Sequence, residues 1–505
     1  MANTEKILIR GVNWVGDSVM TLPAIKAVRA AFPQSEITLL ARPSVAAVFE
    51  KSPFIDLIFE YDDKYRGLGG KLRLAKELRQ KKFGKAILLQ NAFDAALLSF
   101  LSAIPERIGY GRDGRRLLLT DAVPCGKAVR KLHHIDYYLH LLNEIGINAS
   151  DRSPHIRLGI EERVAARRSF ADLGRPLLGI NPGAAYGSAK RWLPGRFADV
   201  AQRFIAETGG GVVVFGGKAE TAIADEIFKK VRGQKLLAAG KNSLRELIAQ
   251  ISECDVLLSN DSGPMHIAYA VGTPLLAIFG STSPELTGPH GKASIVIKSD
   301  ADCSPCFERT CKDRDLRCME GITADMVYEG VRSLVPQRKA VFFDRDGTLC
   351  KDAHYLDRWE DFEIFPDVAH LGELKERGYM LIGVSNQSGI ARGLVDEAFT
   401  KAVNNIFLEK YSFDDFLYCP HGPHDGCGCR KPEPGMVLEA RARHRISLKS
   451  SYVIGDKDVD MLLAKASGAK GVLVLTGQHK ESRHADFIVK DLREAVKVII
   501  EDGAD

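Results

Sequence analysis

Three times along the chain, short apolar runs alternate with amphipathic stretches, and this repetition restricts the fold more than any other feature. From residue 6 to about 145 the runs KILIR, EITLLA, IDLIFE and KAILLQ have strand character. A second series starts near residue 176 with LLGIN, GGVVVFGG, KLLAAG, DVLLSN and TPLLAIFG. A third contains AVFFD, YMLIGVSN, FDDFLYC, SSYVIGD and AKGVLVL. Apolar strands alternating with helical periods predict parallel sheets with crossover helices, an α/β architecture. Three such units suit 505 residues at roughly 150 per domain. A helix over 320–335 and a short linker, PQRKA at 336–340, place the expected domains at 1–160, 161–335 and 339–505. The first two, in tandem, would form a cleft between their sheet ends.

With 45% hydrophobic and 27% charged residues the chain can fill large cores. No repeat or low-complexity tract is present, and no window reaches 18 uncharged apolar residues. The start, MANTEKILIRGVNW, lacks the pattern of a secretion signal, so a cytoplasmic protein is expected. The net charge of +5 is unevenly placed: nine cations from Lys64 to Lys85 face only Glu77, and seven more follow from Arg107 to Lys131. A solvated helix face is the plain explanation. A surface for an anionic substrate, or peripheral contact with an anionic membrane leaflet, is the functional one. No nucleic-acid recognition motif accompanies the charge, so no nucleic-acid partner is expected.

The segment VFFDRDGT at 341–348 is an apolar strand ending in two aspartates one residue apart, with Gly347 turning the backbone. This suits phosphoryl transfer through a carboxylate nucleophile with a neighbouring acid. A lone DxD is usually a turn or a helix cap. Here DRDGT is followed in order by VSNQSG at 384–389, CRKP at 429–432 and GDKDVD at 455–460, each at a predicted strand end, where open α/β sheets place ligands. These four pieces resemble the haloacid dehalogenase superfamily. The resemblance implies Asp344 as nucleophile and Asp346 as the acid that protonates the leaving alcohol and then activates water. It implies Mg²⁺ held by Asp344, Asp346 and Asp456, with Ser385, Asn386 and Lys431 binding the phosphoryl group. Asp460 also reads as an exposed helix residue. Little sequence separates the motifs, so no large cap covers the Rossmannoid domain. YLDRWEDFEIFPDV, SNQSGIARG and the cysteine loop before CRKP are similar to the D-glycero-D-manno-heptose 1,7-bisphosphate 7-phosphatases, with histidinol-phosphate phosphatases as near relatives. An open site would hold heptose 1,7-bisphosphate with help from Arg430.

Seven of the ten cysteines fall into two clusters, which in a chain without a secretion signal favours metal over disulfides. Cys419, His421, Cys427 and Cys429 can close a tetrahedral, structural Zn²⁺ site, with His424 a second candidate ligand. Cys303, Cys306, Cys311 and Cys318 have irregular gaps, compatible with zinc, an iron-sulfur cluster or reduced structural thiols. Cys125, Cys254 and Cys350 read as isolated thiols.

The first strand runs into GVNWVGDSVMTLPAI, which is not the GxGxxG of dinucleotide binding. It presents Asp17 at a helix start, by default as an N-cap. NPGAAYGSAKRWLPGRFADVA at 181–201, VFGGKAE at 214–220 and NDSGPMHIAYAVGTPLLAIFGSTSP at 260–284 resemble the lipopolysaccharide heptosyltransferases, especially the type adding the second core heptose. The resemblance spans residues 6 to about 335. It implies a GT-B fold of two Rossmann-like domains, ADP-heptose as donor and the lipopolysaccharide core, on Kdo₂-lipid A, as acceptor. It further implies Lys190 and the helix start at Ser262 and Gly263 for the leaving ADP, Glu220 for the ribose, and Asp261 for the heptose or its phosphates. Asp17 would take the acceptor proton in a single inverting displacement. A different glycosyltransferase fused to a histidinol-phosphatase-like domain, or a nucleotide- or glycan-binding module, are the alternatives.

Overall fold

All three expected sheets form, and each has six parallel strands in one common order. The computed structural model describes residues 5–503 except 292 and 314; residues 1–4 and 504–505, at the edges of the first and third expected domains, lie outside it. The first sheet runs Leu57–Glu60, Glu36–Ala41, Lys6–Arg10, Lys85–Leu88, Glu106–Tyr110, Asp121–Val123. The second runs Lys235–Leu237, Gly211–Val214, Leu177–Asn181, Val256–Asn260, Leu275–Phe279, Ser294–Lys298. The third runs Asp415–Cys419, Tyr379–Asn386, Lys339–Phe343, Tyr452–Gly455, Lys470–Val474, Phe487–Val489. In chain order each is third, second, first, fourth, fifth, sixth, a doubly wound sheet with its crevice between first and fourth strands.

Four strands escape the sequence pattern: Glu106–Tyr110, Asp121–Val123, Ser294–Lys298 and Phe487–Val489. ERIGY begins with two charged-flanked positions, DAV and FIV are three residues long, and SIVIK is only half buried. Three of them are sheet edges, where one side faces solvent and the apolar run breaks.

Alternation on the strand Lys339–Phe343 divides the third core in two. Val341 and Phe343 enter one cluster with Leu381, Ile454 and Val472, and Ala340 and Phe342 enter the other with Ile382, Val453 and Leu463. A strand buried on both faces is expected of a parallel sheet covered by helices on each side.

The linker is shorter than expected, and one helix changes unit. Lys339 and Ala340, read as linker, already pair in the third sheet with Tyr379 and Met380. The helix Ile160–Arg168, which would open the second expected domain, belongs instead to the compact unit built on the third sheet, formed by Gly159–Ala171 and the chain from Leu334 onward. It packs against the helix Asp458–Ser467. There Arg167 donates to the Lys465 carbonyl at 3.3 Å and lies against Gly468, whose φ of +86° closes that helix. The remaining unit contains the first two sheets.

Candidate active sites

In the second sheet, the first and fourth strands carry their chemistry to one crevice. Leu177–Asn181 leads into the loop bearing Lys190, and Val256–Asn260 leads directly to Asp261, Ser262 and the helix Gly263–Ala270. Across a cavity of about 490 Å³ stands the helix Val15–Ala31 of the first sheet, with Asp17 on the lining. Lys190 Nζ lies 2.5 Å from Asp261 Oδ2, which also accepts from Thr282 Oγ1 at 2.6 Å. Asp261 therefore holds the ammonium in place, and the Tyr186 ring lies 4.7 Å from it.

Ser262 precedes the helix without capping it. Its hydroxyl donates to the Asn260 carbonyl at 3.2 Å and accepts from Asn181 at 3.1 Å, and Pro264 has no N–H to satisfy. The Met265 amide donates to the Ser262 carbonyl at 3.1 Å, so the helix start offers an anion the backbone at Ser262 and Gly263. Gly263 is needed because a Cβ there would stand 3.0 Å from Val15 Cβ. Glu220 accepts from the Gly217 amide at 2.9 Å, and a Cβ on Gly183 would stand 2.1 Å from its carboxylate.

Asp17 is not an N-cap. Trp14 occupies that position, and Asp17 is the third residue of the helix, with Oδ1 3.3 Å from His134 Nδ1. The sequence reading passed over His134; its only signal is a His-His pair heading an apolar helical run. Below Gly16 lies buried His266, whose imidazole burial pushes down to about 4.

The basic stretches divide. Arg115 is fully buried, bound to the Tyr110 carbonyl and Asn91, and Arg107 is consumed by the carbonyls of Ile104, Pro105 and Leu118. Lys71 pairs with Asp94 and Lys85 with Glu106. Arg116 stays exposed, as do Arg66, Arg73, Lys76 and Arg79, which flank or share the helix Gly67–Gln80 with exposed Leu68 and Leu72.

The third sheet repeats the arrangement with carboxylates. Its first strand ends at Asp344, and its fourth leads to Asp456 and then Asp460. These three buried side chains lie within 4.8 Å of one another. Asp460, read as a surface helix residue, is fully buried. Lys431 Nζ sits 2.8 Å from Asp344 Oδ1 and 2.6 Å from Asp460 Oδ1. Burial pushes the Asp344 carboxyl up to about 6 despite that ammonium, and burial likewise raises Asp456 and Asp460.

Asp346 is not gathered with them. Arg345 grips its carboxylate with Nε and Nη2 at 3.0 and 3.1 Å, and Gln387 Nε2 donates to it at 2.8 Å while also donating to Ser385 Oγ at 2.8 Å. Of the expected Asp344, Asp346, Asp456 set, the side chains of Asp344 and Asp456 gather, joined by Asp460, while the Asp346 carboxylate is turned to Arg345 and Gln387. Asn386 clamps both backbone groups of Lys431, accepting at 3.0 Å and donating at 3.3 Å. Arg430 reaches the His421 carbonyl at 3.4 Å.

A hard divalent cation fits the three carboxylates. Asp456 Oδ1 is buried without a hydrogen-bond partner, and Asp456 is approached closely by Gly347 and Gly477, where any Cβ would stand 2.5 and 2.0 Å from its Oδ2. Three buried carboxylates against one buried ammonium also leave negative charge to balance.

Cys419, His421, Cys427 and Cys429 also converge, with ligand atoms 3.3 to 3.6 Å apart along four contacts. A zinc tetrahedron with bonds of about 2.0–2.3 Å has edges of about 3.5–3.8 Å, so the donor set fits that ion. His421, not His424, is the histidine of this group. Cys303, Cys306, Cys311 and Cys318 are not gathered in this way among the described residues. Their segment instead braces the Lys190 loop: Tyr186 donates to the Phe307 carbonyl at 2.8 Å and the Ala189 amide to the Arg309 carbonyl at 3.1 Å.

The family profile of glycosyltransferase family 9 (heptosyltransferase) matches residues 71–316, and a HAD-hydrolase-like profile matches residues 428–495. Lipopolysaccharide heptosyltransferase 2 of Salmonella typhimurium is 30% identical over 307 residues, 58% of this chain and 88% of that protein. D-glycero-beta-D-manno-heptose-1,7-bisphosphate 7-phosphatase of Helicobacter pylori is 36% identical over 170 residues, 32% of this chain and 98% of that protein. Among solved structures, E. coli ADP-heptose lps heptosyltransferase II aligns with a TM-score of 0.56 at 26% identity, covering 65% of this chain and 98% of that one.

Proposed function

Because the chain belongs to glycosyltransferase family 9 through its first two sheets and to the HAD-like heptose bisphosphate phosphatases through its third, we propose one specific pair of reactions. The first unit transfers L-glycero-D-manno-heptose from ADP-heptose to the heptosyl-Kdo₂-lipid A core with inversion. The second hydrolyses the 7-phosphate of D-glycero-D-manno-heptose 1,7-bisphosphate.

The transfer assignment rests on Lys190 and Asp17 lining opposite sides of one cavity. As the bond from sugar to ADP breaks, negative charge grows on the phosphate and meets the Lys190 ammonium and the uncapped helix start at Ser262 and Gly263. Glu220, fixed by the Gly217 amide, takes the ribose hydroxyls. Asp17 stands where an acceptor hydroxyl enters and serves its deprotonation. No helix among the described residues is long and apolar enough to cross a membrane. The exposed cations and leucines of Gly67–Gln80 suit salt-sensitive contact with an anionic leaflet.

In the phosphatase, Asp344 attacks phosphorus and Lys431, with Ser385, binds the phosphoryl oxygens. Asp346, fixed by Arg345 and Gln387, exchanges the proton with the leaving alcohol and with water. Magnesium held by Asp344, Asp456 and Asp460 would supply neutralising charge. Zinc on the Cys419 group would stiffen the loop leading to Arg430 and Lys431.

ADP formation from ADP-heptose tests the transfer. The full chain should heptosylate heptosyl-Kdo₂-lipid A, and Asp17→Ala should bind ADP-heptose without transferring it. An inert wild-type chain, or a variant with wild-type turnover, would contradict the assignment.

A further inference from the structure

His134 is the first residue of the helix His134–Asn143, and its Nδ1 lies 3.3 Å from Asp17 Oδ1. Both line the cavity that contains Lys190. Their side chains are 39% and 28% exposed, so an acceptor can reach them. As the third residue of its helix, Asp17 is held on a rigid element, with its carboxylate turned to the His134 ring. An Nδ1–H donated to Asp17 leaves the lone pair on Nε2, and Nε2 carries no hydrogen bond among the described residues.

We propose that His134 Nε2 takes the proton from the acceptor hydroxyl and that Asp17 is the carboxylate that orients and charges it, an inference that rests on the heptosyl-transfer assignment. The acceptor O–H gives its proton to Nε2 while an oxygen lone pair forms the bond to the anomeric carbon. The bond from that carbon to the phosphate oxygen breaks, and its electron pair leaves with ADP beside Lys190. Asp17 stays anionic and stabilises the imidazolium.

The surrounding ionisable groups leave Asp17 as the dominant charge on His134. Tyr138 on the same helix, and His266 and Tyr269 on Gly263–Ala270, are held neutral by burial. His133, next in sequence, is pushed down to about 4 by burial. Asp136 is paired with Arg152, and Lys190 with Asp261.

The test is the pH dependence of transfer by the full chain from ADP-heptose to heptosyl-Kdo₂-lipid A, between about pH 5 and 9, with ADP affinity measured alongside. His134→Asn keeps an N–H near the Nδ1 position and has no basic nitrogen; His134→Gln is the second variant should the first fail to fold. Both should lose about 10²–10⁴-fold in kcat/KM, lose the acidic limb of the wild-type profile, and bind ADP as the wild type does. A His134→Asn enzyme with wild-type turnover and an unmoved acidic limb would overturn the inference and leave Asp17 as the base. A wild-type chain that transfers nothing would overturn the transferase assignment, and this inference with it.

Discussion

Lys431 organises the phosphatase site, because a buried ammonium is tolerable only between anions and here it meets Asp344 and Asp460. Removing it leaves two buried carboxylates unpaired. Lys431→Met should therefore lower the unfolding free energy of the phosphatase unit by about 3–5 kcal/mol, measured by urea denaturation without divalent cations. A second residue-scale effect concerns acid. His266 titrates at about 4 when folded against 6.5 ordinarily, because burial disfavours its cation. Between those values the unfolded chain binds more protons, so stability falls as pH falls through that window, by up to about 3 kcal/mol. His266→Gln should remove its share of that slope from a stability-against-pH curve and leave the share that buried His133 contributes. Asp344, Asp456 and Lys431 were legible in the sequence since strand-end motifs name them. Asp460 and His134 were not, because their importance comes from burial beside Lys431 and from proximity to Asp17, both products of tertiary packing.

Single elements are placed by the order in which strands pair. Apolar runs revealed the central strands of every sheet, while three edge strands and the charged Glu106–Tyr110 stayed hidden because their patterns are short or half exposed. Glycines then decide how closely loops approach the crevice. Gly183 follows the first strand of the second sheet, and a Cβ there would displace the flexible end of Glu220 and leave the backbone unmoved. Gly183→Ala should weaken ADP binding by about tenfold, near 1.4 kcal/mol, with little change in melting temperature; titration calorimetry and thermal scanning check the two halves of that statement. The loop from Cys419 to Cys429 was legible as a zinc-type donor set since its spacing is local. For the Cys303–Cys318 segment the same local spacing left metal and reduced thiols both open, because it does not reveal that the segment braces the Lys190 loop.

At the scale of the whole molecule, two catalytic units share one chain, and the chain crosses between them more than once. The helix Ile160–Arg168 interrupts the transferase sequence and packs with the phosphatase, where Arg163, Ala166 and neighbouring Phe170 are buried. A sequence cut near residue 335 looks natural and is incomplete. A fragment beginning at Leu334 should melt about 5 °C below the phosphatase transition of the full chain by calorimetry, since the helix Asp458–Ser467 loses its cover. Common heptose chemistry is the central claim, and phosphate release from D-glycero-D-manno-heptose 1,7-bisphosphate with Mg²⁺ tests it most directly. The full chain should prefer this substrate to histidinol phosphate. Asp344→Asn should abolish release by at least about 10³-fold, and Asp17→Asn should leave it at the wild-type rate. Preference for histidinol phosphate, or turnover that survives Asp344→Asn, would contradict the account.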